Sequence, residues 1–95
     1  MTEIDVRNVP ERNRYEAVVD DKVVGYSDYE VGDGVIAFTH AAVEPEYGGQ
    51  GIASQLARES LDDVRSEGVR SVRPVCPFYV WYIEQHPEYA DLVTT

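Results

Sequence analysis

Three groups of residues in this chain have the types and spacing to do chemistry. Gly48, Gly49 and Gly51 crowd into "EYGGQGIASQLA", at the mouth of a stretch with helical periodicity and with no serine, threonine or aspartate to cap it. His40 lies shortly upstream in "FTHAAV", and Cys76 is the only cysteine. The first four N–H groups of a helix lack internal acceptors, and the helix dipole places partial positive charge there. Glycines let an anion such as a pyrophosphate approach those groups with no Cβ in the way. A ligand that does the capping would explain the missing side-chain cap; a turn chosen only for its backbone angles would leave the same pattern. A thiolate is the reactive form of cysteine and is stabilised by a helix N-terminus or an imidazolium. Cys–His pairs of this kind activate nucleophiles, whereas a buried cysteine packed as a small hydrophobe is inert.

The elements that must position these residues read as four strands, a helix, a strand and a helix. "EIDVRN" (Glu3–Asn8) alternates apolar and polar residues, and Pro10 breaks it. "YEAVVD" and "KVVGYSDYE" flank Asp20-Asp21, a hairpin signal, and "VGDG" closes the next hairpin. In "VIAFTHAAV" the alternation places Ile36, Phe38 and His40 on one face. After Pro45 the period changes: Ile52, Ala53, Leu56, Ala57, Leu61 and Val64 form the apolar stripe of a helix that ends at Gly68. "VRSVRPV" is a short strand, and Pro77 opens a last helix that Pro87 stops.

The fold class is therefore mixed α/β (α+β). Strands one to four are antiparallel, strand five lies parallel to strand four through a right-handed helical crossover, and a C-terminal helix follows. Parallel neighbours share a carboxyl edge, where ligands of open sheets bind. The topology brings His40, Cys76 and the glycine loop to that edge.

Composition narrows the partners. Ninety-five residues suit one domain, residues 1–95, with no room for a second nucleotide-binding half. Eight basic residues against 18 acidic ones give a net charge of −10, which disfavours a nucleic-acid partner. Lys22 is the only lysine, and an acid-rich chain of this kind also fits a salt-loving source. No segment approaches the ~18 apolar residues of a membrane span, and "MTEIDVRNV" does not read as a signal peptide. One cysteine excludes an internal disulfide and multi-cysteine metal sites, so no metal is expected. A cytoplasmic protein is the expectation, with room for an oligomer. A Walker loop needs a lysine after the glycines, and a dinucleotide fingerprint needs a third glycine where Ser54 stands; both fail.

"PEYGGQGIASQLA" resembles the acyl-CoA-binding motif of the GNAT superfamily of N-acetyltransferases. Together with His40, "PVCPFYVWYI" and "HPEY", the stretch from about Arg14 to Leu92 is similar to a family of very small GNAT-like proteins with a histidine on strand four and a cysteine after strand five. The resemblance implies a minimal acetyl-CoA-binding fold and transfer of an acetyl group from acetyl-CoA to an unidentified amine. It implies that Val43 offers backbone groups to the pantetheine arm or the thioester. Gly48, Gly49, Gln50, Gly51, Ile52 and Ala53 would supply donors to the pyrophosphate, and His40 and Cys76 would face the acetyl group.

Tyr79 and Tyr82, one turn apart, are coenzyme-contacting candidates and possible acids for the departing CoA thiolate; core packing is the alternative for both. Trp81 is expected to pack, His86 to sit at a negative helix end, and Tyr47 to brace the loop. Glu44 and Glu46 read as solvated acids or as a lure for a cationic amine. Gly48 replaces the Arg or Gln usual in the motif, and Ala41 a threonine frequent in the small family. The first change implies weaker or more salt-sensitive CoA binding. Larger GNAT enzymes carry acceptor-shaping helices where this chain has only "VPERNR". The leading expectation is an N-acetyltransferase, by direct transfer with His40 as base or by a covalent route through Cys76, with participation of Cys76 favoured. A non-catalytic acyl-CoA-binding module working with a partner protein is the alternative, and a thioester hydrolase a third.

Overall fold

The computed structural model describes residues 3–94. One sheet holds five strands in chain order: β1 (Asp5–Val9), β2 (Arg14–Val19), β3 (Lys22–Gly32), β4 (Val35–Val43) and β5 (Ser71–Pro74). The first four pair antiparallel and β5 lies parallel to β4. Helix α1 (Ile52–Glu67) makes the crossover and helix α2 (Pro77–Gln85) follows. This is the expected mixed sheet, with β1 beginning two residues later than the alternation of "EIDVRN" implies.

Local chemistry sets the turns. Asp20 and Asp21 both take positive φ (50° and 64°), as do Asp33 and Gly34 (53° and 75°). Two successive left-handed residues make the tight turn whose twist matches antiparallel strands, and Asp tolerates that region through local hydrogen bonding. Pro77 occupies the first turn of α2, where its missing N–H costs nothing.

Helix α1 buries Ile52, Leu56, Ala57, Ser60, Leu61 and Val64 and exposes Arg58, Asp62 and Arg65. Both helices cover the same side of the sheet. The Tyr79 hydroxyl on α2 donates to Ser27 Oγ on β3 at 2.9 Å and lies 2.8 Å from Ser60 Oγ on α1. Its ring stacks on Phe38 of β4 with centroids 4.4 Å apart. The helix-covered side is the core, and among the described residues the other side carries no helix.

The end of the described chain seals one edge of the sheet. Arg65 donates to both Asp91 carboxylate oxygens (2.8 and 3.1 Å) and to Glu88 O (2.6 Å), and Tyr89 donates to Asp62 (2.7 Å). These contacts hold the 3-10 segment Pro87–Leu92 on α1. Thr94 N–H then reaches Val72 O at 2.9 Å, and Val93 bridges Val72 in parallel, covering part of the outer edge of β5.

Leu61, fully buried, sets the scale of the core: Leu61→Ala should cost about 2–5 kcal/mol in chemical denaturation, and a loss well under 1 kcal/mol would contradict this packing. Burial pushes the Tyr79 phenol up to about 12 and also raises Tyr15 and Tyr89. Each folded-state value lies above the ordinary one of 10.0, so the folded chain holds these protons more tightly. Their stabilisation is complete below the unfolded value and is lost as pH climbs. Melting temperature should therefore fall between about pH 10 and about pH 12, less steeply in Tyr79→Phe; a flat profile would contradict the burial.

Candidate active site

The site is built where β4 outruns β5. Their pairing ends at Phe38 opposite Pro74. Phe38 O then accepts from both Val75 N–H (3.0 Å) and Cys76 N–H (2.8 Å), and the chain turns away into α2. On its other side β4 stays paired with β3 as far as Val43 opposite Gly25. From Thr39 to Val43 the edge of β4 that faces away from β3 therefore has no strand partner among the described residues.

The glycine loop lies just past that open edge. A 3-10 turn, Pro45–Tyr47, leads to Gly48 and then to α1. Gly49 (φ 81°) and Gly51 (φ 76°) are left-handed, and a Cβ at either would meet nothing within 4 Å. Their conformation requires glycine, and the space beside them is open. Gly51 is the N-cap residue of α1, and no side chain caps the helix. The first main-chain bond there runs from Gln55 N–H to Gly51 O at 3.0 Å. Among the described residues, none of the N–H groups from Gly49 through Ser54 donates to a protein acceptor outside the helix. Val43, Tyr47, Gly48, Gly49, Gly51, Ile52, Ala53 and Ser54 enclose a hollow of about 260 Å³. Gly48 departs from the expected donor set: its N–H is already held by Pro45 O at 3.1 Å, because it closes the 3-10 turn. Ser54 carries the last uncommitted N–H of the first turn, since Gln55 N–H is bound to Gly51 O.

His40 and Cys76 converge on this end of the sheet but not on the same side of it. Asp28 pairs with His40 while the next residue, Tyr29, pairs with Phe38, so Thr39 is an extra residue on β4. A bulge of this kind re-aims the side chains beyond it. Ile36 and Phe38 point into the core, whereas His40 is exposed beside Tyr26, ring centroids 5.9 Å apart. The expected common face for Ile36, Phe38 and His40 is thereby corrected. Cys76 is only 5% exposed and belongs to the core with Phe38 and Tyr79. It is the N-cap residue of α2, as expected, without a side-chain cap bond.

His40 stands among charged neighbours that local sequence gave no sign of. The Arg14 guanidinium lies 4.2 Å over the Tyr26 ring, and Arg14 Nε is 3.1 Å from Asp28 Oδ1. That pair is poorly aligned, so Nε is a buried donor without a hydrogen bond. Above them, Arg14, Val23, Val24, Gly25, Tyr26, Ala42, Val43 and Glu44 line a second hollow of about 360 Å³. Val43 borders both hollows.

The aromatic residues of α2 fall otherwise than expected at the coenzyme. Tyr79 is wholly buried with its hydroxyl committed to Ser27 and Ser60. Tyr82 is buried and stacks on His86 at 4.0 Å. Neither borders the glycine hollow; packing claims both, and at about 12 the Tyr79 phenol is a poor acid near neutrality. Trp81, expected to pack, is 49% exposed, because its position on α2 faces away from the sheet. His86 sits at the C-cap, Nδ1 2.9 Å from Tyr82 O. Glu44 and Glu46 are not free acids: Lys22 Nζ lies 3.2 Å from each. Among the described residues no cluster of His, Cys, Asp or Glu is suited to a metal ion, and no helix is long and apolar enough to cross a membrane.

Known structures share this fold. The solution structure of a GCN5-like protein from Staphylococcus aureus superposes with a TM-score of 0.72 at 20% identity, covering 99% of this chain and 91% of the other. The ribosomal-protein-S18-alanine N-acetyltransferase of Escherichia coli matches at TM-score 0.60 and 14% identity over 76% of this chain and 64% of that one. PaiA N-acetyltransferase from Thermoplasma acidophilum, solved with coenzyme A, matches at 0.57 and 18% over 64% of this chain and 38% of its own. At these identities the likeness is one of fold. No curated protein matches the chain in sequence. The family model described as GCN5-related N-acetyl-transferase, however, matches residues 14–92, and over that span, nearly the whole sequence, the chain belongs to the GCN5-related N-acetyl-transferases.

Proposed function

We propose that this chain, as one minimal domain, transfers the acetyl group of acetyl-CoA to an amine acceptor. The observation that carries the reading is the run of uncommitted N–H groups from Gly49 to Ser54, opening beside an unpaired stretch of β4. The diphosphate caps α1, bound by Gly49, Gln50, Gly51, Ile52, Ala53 and Ser54 through main-chain donors and the helix dipole. The pantetheine arm follows the free edge of β4 past Val43, whose main chain borders the path. The Thermoplasma neighbour holding coenzyme A supports the choice of ligand, and the acetyltransferases among the neighbours support an amine as acceptor.

The thioester then arrives where β4 and β5 part, open toward the helix-free face. There His40 takes a proton from the acceptor amine. The amine nitrogen attacks the acetyl carbonyl, main-chain N–H groups hold the developing oxyanion, and the C–S bond breaks to release CoA thiolate. The opposite placement of His40 and Cys76 supports direct transfer over a relay through the thiol. The open face, with Tyr26, Arg14 and Asp28 around His40, is where the acceptor comes to rest. A second reading, an acyl-CoA-binding module that acts with a partner protein, draws on two observations. Among the described residues no helix covers the acceptor side, and the Cys–His pair is split between faces.

With an acceptor found by screening amines for CoA release, His40→Ala should lower kcat by about 10²–10⁴-fold. Cys76→Ala should leave kcat within about threefold, since an idle thiol contributes only packing; an acetyl adduct on Cys76 in the intact mass, together with lost turnover in Cys76→Ala, would reinstate the covalent route. Coenzyme binding without CoA release for any amine would favour the binding module. Gly51→Ala should both weaken CoA binding and cost about 1–2 kcal/mol of stability, the strain of a left-handed alanine.

A further inference from the structure

A main-chain anion site works when its amides are held in place before the anion arrives. The glycines of the loop supply no such hold, since Gly49 and Gly51 have no neighbour where a side chain would begin. The anchoring lies upstream, at the tip of the β2–β3 hairpin. Lys22 Nζ is 3.2 Å from Glu44 Oε2 and 3.2 Å from Glu46 Oε1, and it lies 5.7 Å from the centre of the Tyr47 ring. Glu44 and Glu46 flank Pro45, whose carbonyl holds Gly48 N–H. Glu44 N–H is bound to Val24 O at 2.9 Å, and Tyr47 N–H to Glu44 O at 2.9 Å. One cation thus ties the start of β3 to the residue that opens the short turn and to the middle of that turn, which delivers the glycines.

Resting on the diphosphate reading above, we propose that Lys22 is the positioning residue of the coenzyme cradle: it fixes the Glu44–Tyr47 turn, and so sets where the amides of Gly49 to Ser54 point. The pair of Lys22 with Glu46 persists through the neutral range. Hydrogen bonding to Glu44 and then Glu46 raises Lys22 above the ordinary lysine value, and Lys22 holds Glu46 below the ordinary carboxylate value. An exposed ion pair contributes little to global stability. A lysine that gathers two carboxylates around a proline acts instead on local geometry, and it is the only lysine in the chain.

Two effects of Lys22 on an anionic ligand oppose each other in one experiment. A lysine acting only as positive charge predicts that removing the nearby carboxylates tightens binding of a polyanion. A clamp predicts the reverse, because the carboxylates are its other half. Coenzyme A and inorganic pyrophosphate would be titrated calorimetrically into the wild-type chain, Lys22→Met, Lys22→Arg and the double variant Glu44→Gln/Glu46→Gln. The expected result is a loss of about three- to tenfold in affinity for Lys22→Met and for the double glutamine variant, with binding kept in Lys22→Arg. Melting temperatures should stay within about 4 °C of the wild type, because the changes are at the surface. Tighter binding by the double glutamine variant, or unchanged binding by Lys22→Met, would overturn the clamp and leave the diphosphate reading standing. Failure of the wild-type chain to bind coenzyme A would instead overturn the diphosphate reading, and the clamp with it.

Discussion

Two N–H groups, those of Val75 and Cys76, converge on the carbonyl oxygen of Phe38, and with that shared acceptor the pairing between β4 and β5 stops. An interior strand normally has its polar main chain satisfied on both sides, and an unpaired edge invites another chain or a ligand. Here β4 is interior as far as Phe38 and an edge strand from Thr39 to Val43. The transition falls at the bulge, which turns His40 to the helix-free face. Five residues later the chain enters the turn that presents the start of α1. The open edge follows from β5 having four residues where β4 has nine, the re-aimed histidine from the extra residue in β4, and the uncapped helix from glycine at its N-cap.

Such a small sheet can afford an open face only if the covered one is well filled. Tyr79 fills its centre, stacked on Phe38, with its hydroxyl between Ser27 and Ser60 so that strand and both helices share one hydrogen-bonded junction. Buried polar groups are costly unless partnered, and this one is fully used. The same packing places Cys76 in the core, within the first turn that Tyr79 anchors. Charge is handled differently. A chain of net charge −10 offers an anion no general attraction; the positive potential at the start of α1 comes from main-chain dipoles at short range, and the two carboxylates just before the loop are both paired with Lys22.

Much of this was legible in the residues. The change from period two to period 3.6 after Pro45 located α1 and its buried stripe, Gly68 its end and Pro77 the start of α2. The hairpins followed from Asp20-Asp21 and Asp33-Gly34. The glycine spacing singled out the helix start, and the wider resemblance identified the fold. The bulge was not legible: one extra residue inside "VIAFTHAAV" leaves no mark in composition, yet it moves His40 to the other face, as any one-residue slip must. Contacts far apart in sequence were equally silent. Nothing near Lys22 announces Glu44 and Glu46, and nothing near Tyr79 announces Ser27 and Ser60. Gly48 looked like its neighbours, but a main-chain bond that only the folded 3-10 turn creates removes its donor. Trp81 was misplaced because α2 is apolar on nearly all sides, so its pattern does not say which side meets the sheet.

The central claim is that an anionic coenzyme caps α1 through main-chain donors. Backbone amide resonances followed by NMR during titration with coenzyme A test it most directly. Capping by the coenzyme requires the largest shifts, downfield as expected for new hydrogen bonds, at Gly49, Gln50, Gly51, Ile52, Ala53 and Ser54, with Gly48 moving less because its N–H is already committed. Saturable shifts confined to other surfaces, with these amides unmoved, would contradict it.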